Sequence, residues 1–122
     1  MKWKEYQEKA MATCSPMTDR LITAQEQNII HMILGMITEV AELADNFKKH
    51  FAYGKEFDIV NVEEEIGDLF WYVGNICTFL NIDIEKIMIK NILKLQKRFP
   101  DKFTQFSALN RDLDAERKIL EG

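Results

Sequence analysis

The sequence predicts an all-α fold, a helical bundle of four to five helices in a single domain spanning residues 1–122. Three observations predict it. Apolar residues recur at helical spacing along most of the chain. The two prolines, Pro16 and Pro100, both fall between the periodic segments. No stretch shows the alternation of a strand, an internal repeat or a low-complexity tract, so no second domain is expected.

A first short helix is expected from about Trp3 to Thr13, broken by Ser15-Pro16. A long second helix follows from about Ala24 to Lys49 or a little beyond. Its stretch Ile29 to Ile37 is apolar except for His31 and Gly35, and a helix apolar most of the way round is buried on several sides. That implies a central position, an oligomer interface, or both. Phe51 to Ile59 carries Gly54 and mixed charge, and reads as a loop. Asn61 fits an N-cap, with Glu64 in the capping-box position three residues on. The third helix then runs to about Leu80, with Asn81 suited to its C-terminus and Asp83 to the next N-cap. A fourth covers about Ile84 to Arg98 and stops before Pro100. A last helix fits Asp112 to Leu120.

Composition narrows the function classes. Apolar residues make up 47%, against disorder. The net charge of −4 argues against general nucleic-acid binding, because phosphate backbones attract a basic surface. No stretch is apolar for long enough to span a membrane, and the start of the chain lacks the apolar run of a signal peptide. Cys14 and Cys77 lack metal-ligand spacing. They read as two reduced thiols of a cytoplasmic protein, with Cys77 in the core.

The chemistry is carried by acids set in apolar helical sequence. Glu39-Val40-Ala41-Glu42 and Glu65-Ile66-Gly67-Asp68 each space two carboxylates i, i+3. Both members of a pair leave one face of a helix, about 5–6 Å apart at Cβ. About three such pairs are expected by chance in a chain this acidic, and Glu5/Glu8 is read as one of them. The apolar surroundings and the repetition on two helices carry the weight. If the two helices pack antiparallel, the pairs meet, and hard carboxylate oxygens suit Mg²⁺ or Mn²⁺. Taken singly, each pair is equally open to the reading of solvated surface charge. Glu63 and Glu64 read as helix-capping and solubility residues of the first turn.

The second helix places His31, Gly35, Glu39, Glu42, Asn46 and Lys49 roughly along one stripe. The third places Glu65, Asp68, Tyr72 and Asn75 on another. The fourth offers Asn91, Lys94 and Arg98 on one face, two cations and an amide able to meet a polyphosphate. Lys48, Lys49 and Lys97 read as ordinary lysines favouring helix C-termini. Trp3, Trp71 and Tyr72 could stack on a base, Tyr72 with the better claim, against the bland reading of packed aromatics, while a lone His31 on an apolar helix is more often a hydrogen-bonded core residue than a ligand.

These residues together resemble the MazG-like, all-α nucleoside triphosphate pyrophosphohydrolases. The resemblance rests on His31-x-x-x-Gly35-x-x-x-Glu39-x-x-Glu42, then Glu64-Glu65-Ile66-Gly67-Asp68, then Asn91-x-x-Lys94-x-x-x-Arg98-Phe99-Pro100, and covers about residues 3 to 106. It implies Mg²⁺-dependent cleavage of a nucleoside triphosphate between the α and β phosphates. By position Glu39, Glu42, Glu65 and Asp68 would hold the metal and carry catalysis, while Asn91, Lys94 and Arg98 would contact phosphates. Family members often carry a further Glu just before the first pair, where this chain has Thr38. Some members also use residues N-terminal to the first motif to hold the base, which by this resemblance makes His31 a candidate. The general base stays open among Glu39, Glu42 and Glu65.

Two other readings are kept. One is a related all-α activity, that of dimeric dUTPase or phosphoribosyl-ATP pyrophosphatase. The other is a non-catalytic helical interaction module. The apolar stretch Ile29 to Ile37, with Ile84, Ile87, Met88, Ile89 and Ile92, exceeds what one small bundle covers. A homo-oligomer is therefore expected, a dimer or a dimer of dimers.

Overall fold

The computed structural model describes residues 1–15 and 20–122. The expected break at Pro16 lies outside them. Among the described residues all regular structure is helical, in six elements. They are α1 (Trp3–Ala12), α2 (Ala24–Tyr53), α3 (Ile59–Leu80), α4 (Ile84–Arg98), α5 (Gln105–Leu109) and α6 (Leu113–Glu121). The five-residue α5 is the element beyond the expected four to five.

α2 begins at a reciprocal capping box. The Thr23 hydroxyl accepts from the Glu26 amide at 3.1 Å, and Glu26 accepts from the Thr23 amide at 2.8 Å. The helix runs 30 residues, about 45 Å, and ends at Tyr53, a little beyond Lys49 as expected, so that Phe51 to Tyr53 are helical where a loop was expected. The stop is Gly54 in the left-handed region, φ 64°, whose amide donates to the His50 carbonyl while Lys55 donates to Lys49. That double closure requires a residue free of Cβ strain, and Gly54 supplies it.

The start of α3 differs from the expectation. Asp58, not Asn61, is the N-cap, and its carboxylate accepts from the Asn61 amide at 3.1 Å. Asn61 therefore lies inside the first turn, and Glu64 belongs to no capping box. The far end is as expected. Asn81 takes the left-handed conformation, φ 53°, and Asp83 caps α4 through the amides of Glu85 and Lys86.

α2 and α3 pack antiparallel along their length. Gln25 Nε2 donates to the Phe79 carbonyl at one end, and Asn46 Nδ2 donates to the Asp58 carbonyl near the other. α4 lies against α6, tied by Lys90 Nζ to the Leu120 carbonyl and by Arg98 to Glu116. Few side chains are enclosed. Met32 and Cys77 are the buried apolar residues, with Asn46, Glu65 and Glu116 the buried polar ones. Among the described residues no helix is long and apolar enough to cross a membrane.

Candidate metal centre and nucleotide site

The antiparallel hairpin brings the acids of two helices together. Glu39, Glu42 and Glu65 each offer an oxygen within 4.8 Å of the others. Glu65 is buried, Glu39 half-buried and Glu42 exposed. Asp68 stands outside this trio, exposed one turn further along α3, and its negative charge still acts on Glu39 and Glu42. Among the described residues no ion pair involves any of the four.

Unneutralised carboxylates at this distance raise each other's proton affinity. Glu39 is pushed above the ordinary carboxylate range, first by desolvation and then by Glu65 beside it. Glu42 is raised chiefly by the charge of Glu65. A cluster of hard oxygens that lacks its own cation suits a divalent ion of the Mg²⁺ or Mn²⁺ type. Lys48 and Lys49, the nearest cations in sequence, are both taken by Asp45 at 2.6 Å, which drops the Asp45 pKa to about 2.

Glu65 is held by a chain of side-chain amides. Asn61 Nδ2 donates to Glu65 Oε1 at 2.6 Å, and Asn46 Nδ2 donates to Asn61 Oδ1 at 2.7 Å. Asn46 lies on the acidic stripe of α2 that the sequence predicts, whereas spacing alone suggests a cap for Asn61. The signal for its actual role is the spacing Asn61, Glu65, one helical turn apart on the same face. Beside this chain a cleft of about 700 Å³ opens between the end of α2 and the start of α3. Glu42, Glu64 and Glu65 line it with Lys49 and Lys55.

Further along the hairpin, Tyr72 crosses directly over Gly35. A Cβ built on Gly35 would lie 2.1 Å from Tyr72 Cε1 and 2.3 Å from Cζ. The glycine is therefore what lets the ring approach α2. There Tyr72 meets His31 edge-on, with ring centroids 6.2 Å apart. Thr38 donates its hydroxyl to the Gly35 carbonyl at 2.8 Å.

The residues expected to bind phosphate sit elsewhere. Asn91 and Lys94 line a shallow groove beside Lys90 and Leu120, on the α4–α6 pair. Arg98 makes a two-pronged ion pair with the buried Glu116, at 2.8 and 2.7 Å. Arg111 adds a third short contact to the same carboxylate, at 2.6 Å. The two guanidinium groups hold the Glu116 carboxyl well below the usual range, and Glu116 in turn raises Arg98. Sequence spacing gave no warning of this pair, because its members are 18 residues apart on different helices.

No curated protein and no solved structure matches the chain. A family profile, that of the MazG nucleotide pyrophosphohydrolase domain, matches residues 27–103, which holds both acidic pairs and the whole of α4. With well over half of its length matched by that profile, the chain belongs to the MazG nucleotide pyrophosphohydrolase family.

Proposed function

We propose that the protein hydrolyses a nucleoside or deoxynucleoside triphosphate between the α and β phosphates, releasing the monophosphate and pyrophosphate, with Mg²⁺ or Mn²⁺ required. The observation that carries this reading is the convergence of Glu39, Glu42 and Glu65 from two helices with no cation paired to them. Glu39, Glu42, Glu65 and Asp68 would hold the metal. When bound, it supplies charge neutralisation at the phosphates and a lowered pKa for water. The proton of the attacking water passes to one of Glu39, Glu42 and Glu65. Asn91, Lys94 and Arg98 bind the polyphosphate, and the two cations stabilise charge growing on the pyrophosphate leaving group. For Arg98 this means that phosphate competes with Glu116 for the same guanidinium fork. Tyr72 and His31, one and two turns from the acids, form the wall for the base.

The assembly belongs to the same proposal. A folded monomer of this mass exposes about 6,800 Å². This chain alone exposes 10368 Å². The excess is about 3,500 Å² per chain, or about 7,000 Å² for a pair, at the top of the range that obligate interfaces bury when both partners are counted. It includes Ile33, Leu34 and Ile37 on α2 and Met88, Ile89 and Ile92 on α4, each more than two-fifths exposed. A second copy of the chain is the occupant that covers them. It also accounts for the phosphate-binding face, since α4 packs on α6 and not on the acidic hairpin. In the assembled protein Lys94 of one subunit serves the acids of another.

The test is a panel of ribo- and deoxyribonucleoside triphosphates assayed with Mg²⁺, with Mn²⁺ and with EDTA. The expected result is metal-dependent release of pyrophosphate and monophosphate from at least one of them. Orthophosphate as the first product refutes α–β cleavage, and an inert panel favours the helical interaction module.

A further inference from the structure

The chain of amides behind Glu65 has a fixed polarity. It starts at the Asp58 carbonyl, an oxygen that only accepts. The Asn46 group facing it at 3.1 Å must therefore be the NH₂. The second hydrogen of that NH₂ points to Asn61, so the Asn61 atom facing it at 2.7 Å must be the oxygen. That leaves the Asn61 NH₂ facing Glu65 Oε1 at 2.6 Å as an obligate donor. Turning the Asn61 amide over would set donor against donor at one end and acceptor against acceptor at the other. Asn46 is 8% exposed and Glu65 is 4% exposed, so protein partners satisfy most of the polar surface at both ends. No buried side-chain polar atom among the described residues is left without a partner.

From this geometry we infer that Asn61 is a positioning residue of the metal site, locked in one orientation by Asn46. It holds Glu65 Oε1 as an acceptor and leaves Oε2 to turn toward Glu39 and Glu42. A flexible glutamate has three rotatable bonds, and a ligand that is already oriented forfeits less freedom when the cation binds. Hydrogen-bond partners behind metal ligands typically change affinity by about 10–100-fold when removed. Asn61 itself touches neither metal nor nucleotide in this scheme. Its effect passes wholly through Glu65, and that of Asn46 passes through Asn61.

The inference rests on the metal-site reading above, and one experiment separates the two. Mn²⁺ alone is titrated into the full-length protein by calorimetry, with no nucleotide present. Wild type should bind. Asn61→Leu, which keeps the volume and removes the donor, should weaken Mn²⁺ by about 10–100-fold. On a Glu65→Gln background the same substitution should cost nothing further, because the two act as one unit. Asn61→Ala, uncharged and unable to donate, should behave like Asn61→Leu and serves if the leucine variant does not fold. Asn46→Ser should show a smaller loss of the same kind. A merely structural Asn61 predicts lowered melting temperatures with unchanged Mn²⁺ affinity, and a folded Asn61→Leu or Asn61→Ala protein with wild-type affinity overturns the inference. If wild type itself binds no Mn²⁺, the metal-site reading falls and takes this inference with it.

Discussion

Gly35→Ala tests how closely α2 and α3 are pinned beside the acids. In an unobstructed helix interior the substitution stabilises, by about 1 kcal/mol, because alanine loses less backbone freedom on folding. At Gly35 the new methyl would sit 2.1 Å from Tyr72 Cε1, 2.3 Å from Cζ and 2.5 Å from Cδ1. Carbon atoms rest about 3.5–4.0 Å apart. The ring must then retreat by roughly 1.4 Å, or the helices must part. Overpacking of this kind costs about 1–3 kcal/mol, and a clash this deep belongs at the upper end. The net expectation is a loss of roughly 2 kcal/mol, or a melting temperature lower by about 8 °C for a chain of this size. Gly74→Ala is the control, since nothing lies within 4 Å of its built Cβ. It should melt higher by about 4 °C. The assay is a thermal melt followed by far-ultraviolet circular dichroism in EDTA. With Tyr72→Ala in place the sign at Gly35 should reverse, because the helix-propensity gain is then unopposed. A Gly35→Ala protein that melts at or above wild type would show that the ring does not rest on the glycine, and the reasoning fails.

Two further outcomes are expected. In metal-free buffer the melting temperature should pass through a maximum near about pH 5. Glu39 and Glu42 bind protons more tightly folded than unfolded, so their contribution is lost as pH rises from 4.5 through their raised values. Asp45 and Glu116 are depressed, so their contribution is lost as pH falls from 3.8 and 4.5 through their lowered values. Saturating Mg²⁺ should lift the neutral side selectively, and a metal-free curve still rising at pH 7.5 would count against a repelling cluster. Mixing Lys94→Ala and Glu65→Gln subunits, each nearly inactive alone, should restore about a quarter of wild-type activity if a dimer shares its sites. Light scattering should find the wild type larger than a monomer at micromolar concentration, and a monomer, or mixed subunits that stay inactive, would refute sharing between copies.

What the sequence made legible follows a physical division. Contacts within one helix are set by its period, so the acidic faces of α2 and α3, the Asn81 stop and the Asp83 cap could all be read from spacing. Whether the two acidic faces meet depends on the direction of packing, and the loop at residues 54–58 supplies it by closing an antiparallel hairpin. Contacts chosen between helices were not legible. Nothing in the spacing of Arg98 foretells that Glu116 fills its fork, because the choice is made by how α6 folds back on α4.

Asn61 shows how the two kinds of information compete. Asp58 and Asn61 are both residues that cap helices, and both have an acid or amide three positions on. Reading Asn61 as the cap makes Ile59 and Val60 part of the loop. Reading Asp58 as the cap puts them in the first turn, and lets the Asp58 carboxylate take the Asn61 amide at 3.1 Å. Local energetics barely separate these choices, since each gives one capped amide. The difference arises across the hairpin. With the helix begun at Ile59, the Asn61 side chain is released from capping and projects between Asn46 and Glu65, where three polar groups are satisfied at once. The tertiary network selects the helix start, and in doing so it turns a residue with the look of a cap into part of the acidic site.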